Sequence, residues 1–206
     1  MKRGLLICGI LSSMLYVGMN VLVPLNYPGY DFASQTVSEL SAIGAPTRRL
    51  WLILGSVYAV LYACFGIGVR RFGGSNRTLR AAGSSILLMA LLSVYWPPMH
   101  MRGEAFTFTD VLHIAWTMAT VILMVSAIAL AAISRGRRFQ IYSVATISVM
   151  LIFGTVTGLS SSRISMNLPT PWVGVWERVS IAAFLLWVAL FAANLLRDRQ
   201  PGTHFS

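Results

Sequence analysis

Acidic residues are almost missing from this chain: six Asp and Glu stand against sixteen Lys and Arg in 206 residues. Charge of either sign is scarce, at 11% of residues, and hydrophobic residues make up 56%. A soluble domain carries about 25% charged residues. Too few polar side chains are present to coat a water-facing surface, which excludes a soluble globular domain. Cysteine is scarce as well. Cys8 and Cys64 both fall inside apolar runs, with neither the spacing of a metal site nor that of a secreted disulfide framework. Buried, inert thiols are expected. The apolar runs are continuous rather than alternating, which excludes barrel strands. The net charge of +10 is split into short clusters, whereas a nucleic-acid reader needs a contiguous basic face. No nucleic-acid partner is expected. No cofactor is expected either: Gly66-Ile67-Gly68 lacks the strand and third glycine of a nucleotide loop and suits close helix packing.

What is present is six apolar segments, at about 4–24, 50–69, 79–97, 110–133, 140–161 and 175–196. Most approach the roughly 20 residues that cross a hydrocarbon core as a helix. The expected fold is all-α: one polytopic transmembrane domain over 1–206, a bundle of six helices. The first segment begins like a signal peptide with Lys2 and Arg3. Its apolar stretch is too long for one and no A-x-A site follows, so it is expected to stay as the first helix.

The loops give the orientation. Eleven of the sixteen basic residues fall at the N-terminus, the second and fourth loops and the C-terminus, from Lys2 and Arg3 through Arg70, Arg71, Arg77, Arg80, Arg135, Arg137 and Arg138 to Arg197 and Arg199. Arg48, Arg49, Arg102, Arg163 and Arg178 fall on the other side. The excess of Lys and Arg predicts a multi-pass cell-membrane protein with both termini cytoplasmic. The acids are distributed the other way. Asp31, Glu39, Glu104, Asp110 and Glu177 lie outside and only Asp198 inside. The arginine-rich inner face suits anionic lipid headgroups, and acid–base or metal chemistry belongs outside.

The outer stretch DFASQTVSELSAIGAP, residues 31–46, draws attention. Thr36-Val37-Ser38-Glu39 has the pattern of a capping box, and Gly44 with Pro46 supplies a stop. A short juxtamembrane helix near 36–43 is predicted, with Val37, Leu40 and Ile43 turned to the bundle. Ser38-Glu39-Leu40, Gly44-Ala45-Pro46, Trp96-Pro97-Pro98, Leu112-His113 and Trp176-Glu177-Arg178 together resemble the domain-of-unknown-function family 998 over most of 1–196. The resemblance implies a six-helix membrane fold and no established activity.

The candidate site follows from convergence at one face. Ser38, Glu39, Asp110, His113, Glu177 and Arg178 are expected to line an outward-facing pocket, with His100 at its rim. Glu39 is expected near Arg178, because a charge near hydrocarbon is costly unless paired. Asp110 and His113 are three apart and share a helix face, so Asp110 is expected to fix the His113 tautomer. Three readings stand side by side. In the first, the cluster is a structural ion-pair network, or it binds a lipid headgroup or small ligand, with membrane lipids as partners. In the second, the protein is a lipid-modifying hydrolase, with Ser38, Asp110 and His113 as catalytic candidates or a metal on His100, His113 and Glu39. The third is a small transporter, which the placement of charge at one face disfavours. The orientation is directly testable. In a background lacking Cys8 and Cys64, a cysteine at Gly103 should react with an impermeant thiol reagent added to intact cells, and one at Ser75 should not. Labelling of Ser75→Cys from outside would overturn the orientation.

Overall fold

The computed structural model describes residues 2–198; Met1 and 199–206, which include Arg199 counted above, lie outside the described residues. The long helices are α1 Lys2–Leu22, α2 Arg48–Gly73, α3 Arg77–Leu92, α4 Phe108–Ile133, α5 Arg137–Leu159 and α7 Val173–Arg197, with a five-residue helix, α6 Ser161–Ser165, before the last. No strand occurs among the described residues. Five helices are long and apolar enough to cross a membrane. Large apolar side chains on their outer surfaces, such as Met14, Val60, Ile122 and Val144, are more than half exposed, as lipid-facing positions should be. The fold is a helical membrane bundle.

Each long helix packs on the next, and α7 closes the ring onto α5 and α1. The start of α1 and the end of α7 share one end of the bundle, called here the terminal end. The opposite end is covered by residues 24–47 and is called the cap end. The core is an aromatic column. Tyr62, Phe65, Trp187 and Phe191 are fully or almost fully buried, and Trp187 stacks on Phe191 at 4.9 Å between ring centroids. Lipid offers helices no hydrophobic drive to associate, so small residues and polar contacts hold them together. The Trp187 indole donates to Ser143 at 3.0 Å, and Ser13 donates to the Leu185 carbonyl at 3.0 Å. Gly66 and Gly83 let α2 and α3 touch through their backbones. A β-carbon on Gly83 would lie 2.7 Å from the Arg70 amide nitrogen.

Two elements depart from expectation. The 36–43 helix is a single 3₁₀ turn, Ser38–Ser41. Its end is drawn into tertiary bonds instead of a second turn: Thr47 donates to the Leu40 carbonyl at 2.7 Å and the Ile43 amide to Met99 at 2.8 Å. Gly44 then turns the chain at φ +86°. Val37 and Leu40 are buried as expected, but Ile43 is exposed. The third helix, expected over 79–97, ends at Leu92. Ser93 folds back on the Met89 carbonyl, and Trp96 precedes Pro97, a position pushed away from helix. The Trp116 indole donates to the freed Leu92 carbonyl at 3.0 Å. The 16 residues of α3 rise about 24 Å. Elsewhere the bounds agree within a few residues.

The α2–α3 contact predicts a sharp response to one methyl group. Gly83→Ala should lower stability by about 1–3 kcal/mol through overpacking. Gly158→Ala, whose β-carbon would meet nothing, should be neutral or stabilising. Thermal unfolding in detergent micelles reads both. Equal midpoints would show that the helices do not rely on this approach.

Candidate functional site

The cap is built from local turns before it reaches the bundle. Asp31 accepts bonds from the Ala33 amide and the Ser34 hydroxyl at 3.0 and 2.6 Å. These donors hold its carboxyl below the ordinary carboxylate range. Tyr30 folds over the same turn and donates to the Thr36 carbonyl at 2.7 Å. Burial keeps this hydroxyl well above the usual tyrosine range, so it stays protonated. Thr36 and Glu39 exchange the two bonds of a capping box: the Thr36 amide donates to Glu39 Oε2 at 2.6 Å and the Glu39 amide to Thr36 Oγ1 at 3.3 Å.

The Glu39 carboxylate has a second role. Its side chain is 2% exposed, and Arg102 reaches it from the loop after α3. The guanidinium grips both oxygens, Nε on Oε1 and Nη2 on Oε2, the latter at 3.0 Å. A forked pair of this kind is stronger and more directional than a single contact. Arg102 also donates to Ser34 O at 2.6 Å and to Thr170 Oγ1 at 2.8 Å. One side chain thus ties the cap to the two other loops at this end.

Helix α7 provides the dock. Glu177 accepts from the Val37 amide and, at 3.2 Å, from the Ser38 hydroxyl. Arg178 donates to the carbonyls of Phe32, Gln35 and Gly174 at 3.0–3.1 Å and to the Tyr30 hydroxyl at 2.6 Å. Its guanidinium lies 3.7 Å over the Phe32 ring, a cation–π contact. The Gly174 amide donates to Ala33 O at 2.9 Å. Any β-carbon at Gly174 would collide with the Gln35 and Phe32 carbonyls, so glycine is required for the cap to seat.

A second group surrounds Asp110. It accepts from the amides of Thr107 and His100 at 2.9 and 2.8 Å and meets His100 Nδ1 at 2.9 Å. It is a helix cap and a loop anchor at once. His113 is buried nearby, and its Nδ1 donates to the Pro97 carbonyl at 2.7 Å.

The expected site residues therefore fall into two groups. Ser38, Glu39, Glu177 and Arg178 form one, and His100, Asp110 and His113 the other, linked by the short run from His100 to Arg102. Three expected pairings are corrected. Glu39 pairs with Arg102, not Arg178, because the two terminal nitrogens of Arg178 are taken by backbone carbonyls and the Tyr30 hydroxyl. Asp110 holds His100, not His113, because its carboxylate turns back to the helix start. Ser38 hydrogen-bonds Glu177, and among the described residues no bond joins it to a histidine. No group of three or more His, Cys, Asp or Glu placed to hold a metal occurs among the described residues, so His100, His113 and Glu39 are not gathered around one point. Arg102, Tyr30 and Thr170 were not anticipated. The available signal was that Arg102 is the only Lys or Arg in the loop between α3 and α4, at the same end as Glu39.

A recess of about 470 Å³ lies beside the cap, where Gly44, Pro46, Arg48 and Arg49 meet Leu52 and Ile53 of α2. Arg48 donates to the Ser41 carbonyl, so the cap forms the recess wall. Arg49, Leu52 and Ile53 are exposed.

A family model described as "Protein of unknown function (DUF998)" matches residues 10–194. No curated protein and no solved structure matches the chain.

The Glu39–Arg102 pair makes a testable claim. Glu39→Gln or Arg102→Met alone should cost about 3–5 kcal/mol, because each strands a buried charge. The double variant should recover much of the loss. Additive losses in thermal unfolding would mean that the two groups act independently.

Proposed function

Since the chain belongs to the DUF998 family, whose description assigns no activity, its role rests on its own residues, and we propose that it is a non-catalytic cell-membrane protein that binds an anionic lipid headgroup at its outer face. In this reading both termini are cytoplasmic and the cap end faces outward, on the strength of the Lys and Arg excess at the terminal end.

The observation that carries the reading is the composition of the recess beside the cap. Arg48 and Arg49 sit one turn from exposed Leu52 and Ile53. A guanidinium suits a phosphate oxygen pair, and the two aliphatic side chains suit the start of an acyl chain. Both halves of an anionic phospholipid are thus matched within one surface of α2. The polar cluster serves this site indirectly. Its carboxylates and guanidiniums bind one another and the cap, which fixes the recess wall through Ser41 and Arg48. A triad hydrolase needs a histidine that takes the Ser38 proton, and Ser38 donates instead to the Glu177 carboxylate at 3.2 Å. A transporter needs polar groups open at the midplane, whereas Ser12 and Ser13, buried at the middle of α1, donate to the backbone carbonyls of Gly9 and Leu185.

Native mass spectrometry of the purified chain with added phosphatidylglycerol or phosphatidylcholine tests the proposal. The expected result is retained phosphatidylglycerol, with retention lowered at least about tenfold by Arg49→Gln, the scale of one lost charged hydrogen bond. Equal retention of phosphatidylcholine, or unchanged binding in the variant, would overturn it.

A further inference from the structure

The terminal end carries a different kind of feature: a corner of unpaired arginines. The last turn of α2 contributes Arg70 and Arg71, and α3 begins at Arg77. The connection is three residues long. Gly74 takes φ +51°, and Asn76 caps α3 by accepting from the Leu79 amide at 3.0 Å. The glycine contact described above sets the spacing here. A β-carbon at Gly83 would meet the Arg70 stem at 2.7 Å, and one at Gly73 the Arg80 stem at 3.0 Å. Each arginine stem therefore lies over a glycine of the facing helix. A recess of about 300 Å³ opens there, lined by Arg70, Arg77, Arg80, Ala81 and Ser84.

All three arginines are exposed. Among the described residues none of them forms an ion pair. The chain has one acid at this end, Asp198, and Arg135 holds it. Like charges repel, and among the described residues no acid pairs with them. At the cap end, by contrast, Glu39, Asp110 and Glu177 are each engaged by several donors.

We infer that Arg70, Arg77 and Arg80 form a phosphate site that takes the headgroup of an anionic phospholipid in the leaflet at the terminal end. The recess flanks helices with lipid-facing sides, so a headgroup reaches it without leaving the bilayer. Arginine forks match phosphate oxygens, and basic pockets between membrane helices suit such headgroups. This site is separate from the recess at Arg49 and does not depend on it.

The test uses the full chain in detergent, with phosphatidylglycerol, cardiolipin, phosphatidylcholine or inorganic phosphate as the probe. Native mass spectrometry counts what stays bound. Arg70→Gln/Arg80→Gln should lose one anionic lipid that Arg49→Gln retains. Arg137→Gln/Arg138→Gln removes the same charge at the same end, outside the recess, and should keep wild-type occupancy. If the first double variant does not fold, Arg77→Gln should show the same loss. Equal losses from the two double variants would mean a diffuse positive surface and would overturn the site. Displacement of the lipid from wild type by millimolar inorganic phosphate would overturn the lipid as occupant. Retention of phosphatidylcholine in place of the anionic lipids would do the same.

Discussion

The forked bond between Glu39 and Arg102 is the constraint on which the cap end depends. Each charge alone would be expensive in this setting, because removing an ion from water costs several kcal/mol even after relaxation. The two are affordable together only because nearly every lone pair and proton finds a partner. Glu39 also takes the Thr36 amide and hydroxyl, and Arg102 also serves Ser34 and Thr170. The bond therefore does more than join two residues. It joins three loops, and it holds the 3₁₀ turn at Ser38–Ser41 in place beside the small apolar cluster of Met19, Val23, Val37 and Leu40. Glu177 and Arg178 complete the seat by binding cap backbone, which is why the cap needs so little helix to be ordered.

Much of the fold is legible in the sequence, for a simple reason. In lipid every backbone group must be satisfied within its own segment, so long apolar runs have one outcome, the helix. Gly66 and Gly68 were readable as packing positions on the same basis. The site was less legible. Glu39 stood out as a lone acid beside a capping threonine, but its partner is set by how two loops meet. Glu177-Arg178 offered a charge nearer in kind, and yet Arg178 is spent on carbonyls. The spacing of Asp110 and His113 suggested a pair. Side chains of a helix lean toward its N-terminus, so an acid at the third position meets the loop before it. That loop supplies His100. The short helix at 36–43 failed for a related reason: tertiary donors and acceptors replaced the bonds of a second turn.

The two ends of the bundle handle charge in opposite ways. The cap end has a near balance of acids and bases and engages most of them internally, with Arg49 left exposed beside the recess. The terminal end has a surplus of arginine and one acid to meet it. The capped side has buried charged side chains and many long-range bonds. The other presents its charges at the surface, where lipid composition and ionic strength act on them directly.

The early end of α3 has a mechanical consequence. Its 16 residues rise about 24 Å against a hydrocarbon thickness of about 30 Å, while α2 and α4 on either side have 26 residues each. A bilayer cannot match both lengths at one point on its perimeter. The shortfall at α3 is met either by thinning of the lipid beside it or by Arg77 and Arg80 at its start reaching to the headgroup level, each at a cost of fractions of a kcal/mol per Å.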